Sequence, residues 1–303
     1  MEGERLGVIA LFAATILWAI SNLAYDSFIK AGHAVIVILW VISIFRFSTV
    51  WFITDFKKIP HEWAKDSKEL FFAILNGFFS IGTMFFALSA LEHTNLANVM
   101  FLAYTAPAWV LVGSVLFLGE KPSIKKGIAL IATIMGVMLI SNPQDIFSVN
   151  LGVLFALAAG ITYAGDIITS RELKDYSFHT VSTYSNGVQF VVFSIAILFF
   201  VNPPLEVFLA APLLVFAVVG VMRGTASDLY YYSLERLEAS TASVISLFEL
   251  ILTVLLAAIV LGQFPKELEL MGYLLIIGSA AIILLRKSDI ENFEQLIFMR
   301  RKH

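Results

Sequence analysis

The sequence predicts an all-α polytopic membrane protein whose ten transmembrane helices form two inverted five-helix repeats. Three observations carry this expectation. The 303-residue chain is 59% hydrophobic and 14% charged, with a mean hydropathy of +0.87. Soluble domains carry about 25% charged residues, so the charges here are too few to coat a water-facing surface, and lipid is the main solvent. Ten stretches are long and apolar enough to cross a bilayer, and the chain repeats itself at half its own length.

A spanning helix needs about 20 mostly apolar residues. The stretches that qualify are 6–29, 34–54, 69–90, 95–118, 124–141, 150–170, 179–201, 210–232, 239–262 and 268–286. The breaks between them are short and polar, as at Asn142-Pro143-Gln144-Asp145 and Asn202-Pro203-Pro204. The first stretch is too long, and its flank (Glu2, Glu4, Arg5) too mixed in charge, for a cleaved leader. It is read as the first span.

Charge orients the spans. With the N-terminus in the cytoplasm, 16 of the 20 Lys and Arg residues fall on the cytoplasmic side, Lys30 and Lys266 fall outside, and Arg46 and Arg223 lie within spans. That asymmetry is a strong positive-inside signal, and one missed span would scramble it downstream. The expectation is a plasma or inner membrane protein with both termini cytoplasmic.

The repeat is visible in residues 91–122 and 234–265, which align without a gap at an offset of 143. Leu91-Glu92 matches Leu234-Glu235 at one end; Leu118-Gly119 and Pro122 match Leu261-Gly262 and Pro265 at the other. Upstream, seven of the 15 positions 6–20 recur at 151–165, beginning with Leu6-Gly7-Val8 and Leu151-Gly152-Val153. The expected units are 1–145, 146–286 and a tail, 287–303. Five spans is an odd number, so the two units enter the membrane in opposite directions. Inverted repeats of this kind suit alternating access around a central site; duplication for packing alone is the other reading.

Other classes find no support. Net charge is −3 with a pI near 6.0, which gives no basic excess for nucleic acid. The chain has no Cys, so thiolate-metal, disulfide and thiol-nucleophile chemistry are excluded. No GxGxxG, P-loop or HExxH occurs; His61-Glu62 begins the last of these and fails at Lys65. No catalytic residue, cofactor, metal site or obligate protein partner is expected. The expected partners are the bilayer, a small-molecule substrate and a coupling proton.

Several ordered residues then carry a resemblance. Trp18-x-x-Ser21-Asn22, Arg46-Phe47, Ala87-Leu88-x-Ala90-Leu91, Ala97, Pro107, Leu118-Gly119-Glu120-Lys121-Pro122 and Gly127…Gly136-Val137, set in ten duplicated spans, resemble the EamA type of the drug/metabolite transporter superfamily. The resemblance covers residues 6–286. It implies a ten-helix metabolite transporter, often an exporter, with a central cavity lined by spans 1, 3, 4, 6, 8 and 9. Two positions depart from the family pattern: Glu249-Leu250 stands where Glu-Pro is usual, and Gly262-Gln263 where Gly-Glu is usual. A straighter ninth span is the expectation from the first of these.

Ionisable groups within spans cost about 2.5–3.5 kcal/mol each on insertion scales, so each needs a reason. Arg46, Arg223 and Glu249 lie roughly 16–20 Å into their spans at 1.5 Å per residue, near the middle of a core about 30 Å thick. Asp166 and Asp228 lie toward the cytoplasm, and Asp26 toward the outside. Their repeat counterparts do not ionise: Glu249 aligns with Ala106, Asp166 with Ser21, Asp228 with Phe85, and Arg46 falls near Gln189. The scaffold is symmetric and the charges are not.

Helical spacing places Ser246, Glu249 and Thr253 on one face, and likewise Tyr163, Asp166 and Ser170. Arg223, Ser227, Tyr230 and Tyr231 share another face, from which Asp228 points away toward the inner rim. The expected substrate site comprises Trp18, Ser21, Asn22, Arg46, Tyr104, Tyr163, Asp166, Arg223, Tyr230 and Glu249. In this reading Arg46 or Arg223 holds an anionic group, and Glu249 holds a cationic group or the coupling proton. A site of both signs beside aromatic rings suits zwitterions such as amino acids; quaternary-amine or drug-like cations, and a non-transporting intramembrane enzyme or scaffold, are the alternatives.

Structural alternatives stay open for single residues. Arg46 and Glu249 can neutralise one another, Arg223 can snorkel, and Asp166 can pair with Arg171. Pro107 is a passive kink or frees a carbonyl toward a cavity. The tail, with Leu296–Met299 followed by Arg300, Arg301 and Lys302, reads as an interfacial amphipathic helix or a disordered basic flag.

Overall fold

The computed structural model describes residues 2–56, 65–93, 96–119, 121, 124–140, 151–201, 210–261 and scattered positions from 267 to 279. Among these the chain is all helix, with no strand. The helices are α1 (Glu2–Lys30), α2 (Val35–Phe56), α3 (Ser67–Leu91), α4 (Leu96–Ala103), α5 (Ala106–Phe117), α6 (Ile124–Ile140), α7 (Leu151–Glu172), α8 (Phe178–Phe200), α9 (Ala210–Arg236), α10 (Ala239–Ser246) and α11 (Phe248–Leu261). Among the described residues, seven stretches are long and apolar enough to cross a membrane: Gly3–Lys30, Val35–Thr54, Ser67–Leu91, Leu151–Glu172, Phe178–Phe199, Pro212–Arg236 and Thr241–Val260.

The three other expected spans differ for separate reasons. The stretch 95–118 is divided into α4, 8 residues long, and α5, 12 residues long, neither of which reaches across alone. The stretch 124–141 forms α6, 17 residues long. The stretch 268–286, and the tail 287–303, fall mainly or wholly outside the described residues.

The chain is inside-out relative to a soluble protein. Leu198 and Ile259 are 78% exposed and Ile124 is 83% exposed, whereas Arg46, Arg223, Asp166 and Glu249 are all buried. Only lipid makes that exchange favourable, since apolar surface then meets apolar solvent and backbone polar groups are satisfied within helices.

The helix contacts map onto themselves when each helix is exchanged for its repeat counterpart. α3 packs along α7, and α1 along α9; α2 packs on α9, and α8 on α3. α4 and α5 lie on α7, as α10 and α11 lie on α1, and α2 meets its own counterpart α8.

The interruptions obey the same exchange. The chain leaves helix at Tyr104-Thr105 in the first copy and at Leu247 in the second, and Tyr104 and Leu247 are 143 residues apart. In the first copy Pro107 stands at the start of α5 and has no N–H to give. The carbonyls left behind do not face solvent. A Cβ on Gly160 of α7 would lie 2.9 Å from the Ala103 oxygen and 3.0 Å from that of Leu102, so only glycine lets α7 cover them.

The expectation of a straighter ninth span is corrected. No proline is present, yet α10 ends at Ser246 and α11 starts at Phe248. The Leu247 N–H bonds back three residues to the Val244 oxygen at 3.1 Å, and Leu250 N–H bonds to the Leu247 oxygen at 3.1 Å. This tight turn sets Glu249 in the first turn of α11, where the positive end of the helix dipole favours a carboxylate.

Candidate solute-binding site

The buried charges meet in a cavity of about 130 Å³ among α1, α2, α3, α4, α7, α9 and α11. Trp18 and Asn22 of α1, Arg46 of α2, Tyr163 and Asp166 of α7, Arg223 and Tyr230 of α9, and Glu249 of α11 all line it, as does Tyr104 at the helix break. Ser21 does not: its hydroxyl donates to the Leu17 carbonyl one turn back, at 2.7 Å, and it is fully buried. A larger groove of about 500 Å³ runs between α2, α3 and α8. Its walls include Trp51, Phe78 and Val191, all exposed toward lipid, and His179 is its one ionisable side chain apart from Tyr184. The charged chemistry lies in the smaller cavity.

Each charge in the cavity is held by neutral groups rather than by an opposite charge. Arg223 Nη2 donates to Asn22 Oδ1 at 2.6 Å, and its guanidinium lies 4.7 Å from the centre of the Tyr25 ring. Its Nε is buried with no hydrogen-bond partner among the described residues. Asn22 Nδ2 in turn donates to Glu249 Oε1 at 2.7 Å. One amide therefore separates a guanidinium from a carboxylate.

Arg46 is fixed by backbone proximity. The site for a Cβ on Gly224 of α9 lies 2.8 Å from the Arg46 carbonyl oxygen, so α2 and α9 are in close contact there. From this position Arg46 donates to Ser227 Oγ through Nε at 3.1 Å and Nη2 at 2.6 Å, and to Gln189 Oε1 through Nη1 at 2.9 Å. Gln189 is the residue that aligns with Arg46 in the other repeat, at an offset of 143. The two counterparts meet at the centre, one charged and one neutral.

Asp166 occupies the other end of the cavity. Its carboxylate accepts from Asn76 Nδ2 at 2.6 Å, Tyr230 hydroxyl at 3.2 Å and Tyr231 hydroxyl at 3.4 Å. Tyr230 also packs edge-on against Trp18, ring centres 5.1 Å apart.

These contacts decide the open alternatives. Arg46 and Glu249 have separate partners and form no pair. Arg223 is buried against Asn22 rather than reaching for the interface. Arg171 donates to the Leu234 and Glu235 carbonyls at 2.7 and 3.0 Å, leaving Asp166 to its tyrosines and Asn76. Asp228 lies outside the cavity, accepting from Ser182 at 2.5 Å and facing His179 Nδ1 at 3.5 Å.

Sequence reasoning did not select Asn76, Tyr25 or Tyr231 for the site, and treated Gln189 only as the counterpart of Arg46. Asn76 carried a usable signal, as an amide within an apolar span, which needs a partner for the same reason a charge does. Tyr25 carried none.

An apolar exterior, broken helices and a buried cavity lined by charges of both signs define a multi-pass membrane protein with a polar centre. The chain belongs to the EamA-like transporter family, whose sequence profile matches twice, over residues 5–142 and 150–285. That family lies within the drug/metabolite transporter superfamily, and it is not an enzyme family. An uncharacterized transporter of Archaeoglobus fulgidus is 29% identical over 102 residues, which span 33% of this chain and 37% of that protein. The chain thus aligns with little more than a third of that curated relative. A solved crystal structure superposes with a TM-score of 0.73 over 92% of this chain and 96% of the other, at 17% identity, and shows a shared fold.

Proposed function

We propose that this protein is a secondary transporter of small zwitterionic metabolites, amino acids among them, working by alternating access and exporting its substrate. The observation that carries the substrate class is the Arg223–Asn22–Glu249 arrangement: a guanidinium and a carboxylate in one cavity, held apart by a single amide. An amide presents a donor at one end and an acceptor at the other. A zwitterion presents the same pair with full charges, its ammonium toward Glu249 and its carboxylate toward Arg223, where Nε supplies a further donor. Charge-assisted bonds of this kind are roughly twice as strong as neutral ones.

The architecture we propose is ten spans in two inverted units, 1–145 and 146–286, followed by the tail 287–303. The exchangeable helix contacts and the matched breaks support it, because two like halves can rock about a fixed centre. The charge asymmetry supports a plasma or inner membrane location with both termini cytoplasmic. The direction of transport rests on the family resemblance alone, and the chain has no enzymatic role in this reading. A proton carried by Glu249, within the cavity, is the coupling ion in this reading.

Counterflow in proteoliposomes tests the proposal. Labelled neutral amino acids are expected to exchange with saturation, and Arg223→Gln and Glu249→Gln to abolish the exchange. Exchange of quaternary amines with no effect of amino acids overturns it in favour of a cation carrier. No saturable exchange of any small solute points to a non-transporting protein.

A further inference from the structure

Behind the cavity wall, Asp166 belongs to a second buried arrangement, apart from Arg223, Asn22 and Glu249. Four oxygens from one stretch of α7 surround the amide nitrogen of Asn76 in α3. Asn76 Nδ2 lies 2.6 Å from Asp166 Oδ1, 3.0 Å from the Asp166 carbonyl oxygen, 3.1 Å from Thr169 Oγ1 and 2.7 Å from Ser170 Oγ. An amide has two hydrogens to give.

The surrounding hydroxyls do not supply the difference. Thr169 spends its proton on the Gly165 carbonyl at 2.7 Å, and Ser170 spends its own on the Asp166 carbonyl at 2.7 Å. Both turn lone pairs toward Asn76. The Tyr231 and Ser185 hydroxyls, 2.8 Å apart, add one hydrogen each, and Asn76 Oδ1 at 3.0 Å and Asp166 Oδ1 at 3.4 Å are further acceptors within reach of Tyr231. Acceptors outnumber hydrogens throughout the cluster. Turning the amide over enlarges the surplus, because Asn76 Oδ1 then becomes a fifth oxygen at the same point.

We propose that this is a sodium site, with Asp166, Thr169 and Ser170 of α7 and Asn76 of α3 as its ligands. Hard cations take carboxylate, carbonyl and hydroxyl oxygens. The amide nitrogen marks the place of the ion; on binding, Asn76 rotates, presents Oδ1 to the sodium and gives Nδ2 to the Tyr231 and Ser185 oxygens. The charge count selects a monovalent ion. Asp166 is the single carboxylate of the cluster, and no grouping of three His, Cys, Asp or Glu side chains occurs among the described residues. Thr169 and Ser170 lie in the last turn of α7, where the negative end of the helix dipole adds to the attraction. Arg46, in the same cavity, is engaged by Ser227 and Gln189.

The site has a route to the solute. Asp166 Oδ2 accepts from Tyr230, which packs on Trp18 in the cavity wall. The ion also ties α3 to α7, which belong to different repeats. Its use as a coupling ion rests on the transporter reading above; its binding does not.

The test is therefore ion binding by the purified full-length protein without solute. Thermal melting and tryptophan fluorescence are followed as sodium chloride replaces choline chloride at constant ionic strength. A saturable rise in melting temperature with sodium is expected, lost in Asp166→Asn and shifted about tenfold to higher concentration in Thr169→Val and Ser170→Ala. Identical melting of the wild type in the two salts overturns the proposal, and a response to pH without one to sodium replaces the ion by a proton. A sodium response that survives in all three variants also overturns it. Should Asp166→Asn fail to fold, the Thr169 and Ser170 variants carry the test. Sodium binding without any solute exchange leaves this site standing and removes the function proposed above.

Discussion

Asn22 donates a 2.7 Å hydrogen bond to Glu249 from the same side-chain amide that accepts from Arg223 at 2.6 Å. Hydrogen bonds to charged groups contribute about 1.5–3 kcal/mol, and every 1.4 kcal/mol is about tenfold in affinity. Asn22→Ala removes the separator and allows the two charges to close on one another. The variant is expected to fold and to lose solute affinity by at least about tenfold in a counterflow assay. Unchanged affinity would show that the substrate does not sit between these charges.

Arg46 offers a second test, because its partners are neutral. Gln189→Glu places a carboxylate where Oε1 now lies 2.9 Å from Nη1. Truncating or rewiring the partner of a buried charge is felt strongly. Here the change gives the guanidinium a permanent counter-charge, so transport is expected to fall about tenfold while purified yield is retained. Transport at the wild-type rate would assign Arg46 a structural role.

The Asp228 cluster should behave differently. Asp228 is buried with Ser182 and His179 but does not line the cavity. Asp228→Asn is expected to lower stability by about 1–3 kcal/mol, the cost of disturbing a buried hydrogen-bonded group. The apparent KM for solute should stay within about twofold. A lowered melting temperature with an unchanged KM bears this out; a large KM change refutes it.

Gly160 is expected to be intolerant. A Cβ there meets the carbonyls of Leu102 and Ala103 at 3.0 and 2.9 Å, and backbone cannot swing aside. Gly160→Ala should destabilise by about 1–3 kcal/mol, as overpacking does. Gly127→Ala, with nothing within 4 Å of its Cβ, serves as the control. Equal melting temperatures for the two variants would contradict the close approach.

Acid should weaken the cap of α3. Asp66 Oδ1 accepts the Glu69 N–H at 2.7 Å, and that bond holds the Asp66 carboxyl below the ordinary aspartate range. A lowered folded-state value means that the stabilisation is present above the unfolded-state value and is lost as pH falls through the folded one. Wild type should therefore lose stability relative to Asp66→Asn below about pH 4, and parallel melting curves for the two proteins from neutral to acid pH would rule this out.

Much of the plan was legible in the sequence because the bilayer imposes simple rules. Apolar stretches near 20 residues long, positive-inside charge and a doubled sequence need no knowledge of packing. The polar residues of spans 1, 2, 4, 6, 8 and 9 were legible for the same reason, since a charge in lipid requires a purpose. Ser21 shares the helical spacing of Trp18 and Asn22, and spacing does not say whether a hydroxyl faces the cavity or, as here, its own backbone. Asn76 was passed over as one amide among apolar neighbours, and its four oxygens are supplied by a helix of the other repeat.

The sequence by itself determined the solvent, the helical class, the duplication and the residue types that had to be buried. Those follow from composition and periodicity, which act locally along the chain. The tertiary structure alone decided which neutral groups hold each buried charge. Arg46 rests on its own repeat counterpart, Arg223 and Glu249 are joined through Asn22, and α10 breaks before Glu249 without a proline. The first two depend on contacts between residues 143 or more apart in sequence, Arg46 with Gln189 and Asn22 with Arg223 and Glu249. Hydrogen-bond geometry fixes within ångströms what a one-dimensional pattern leaves open.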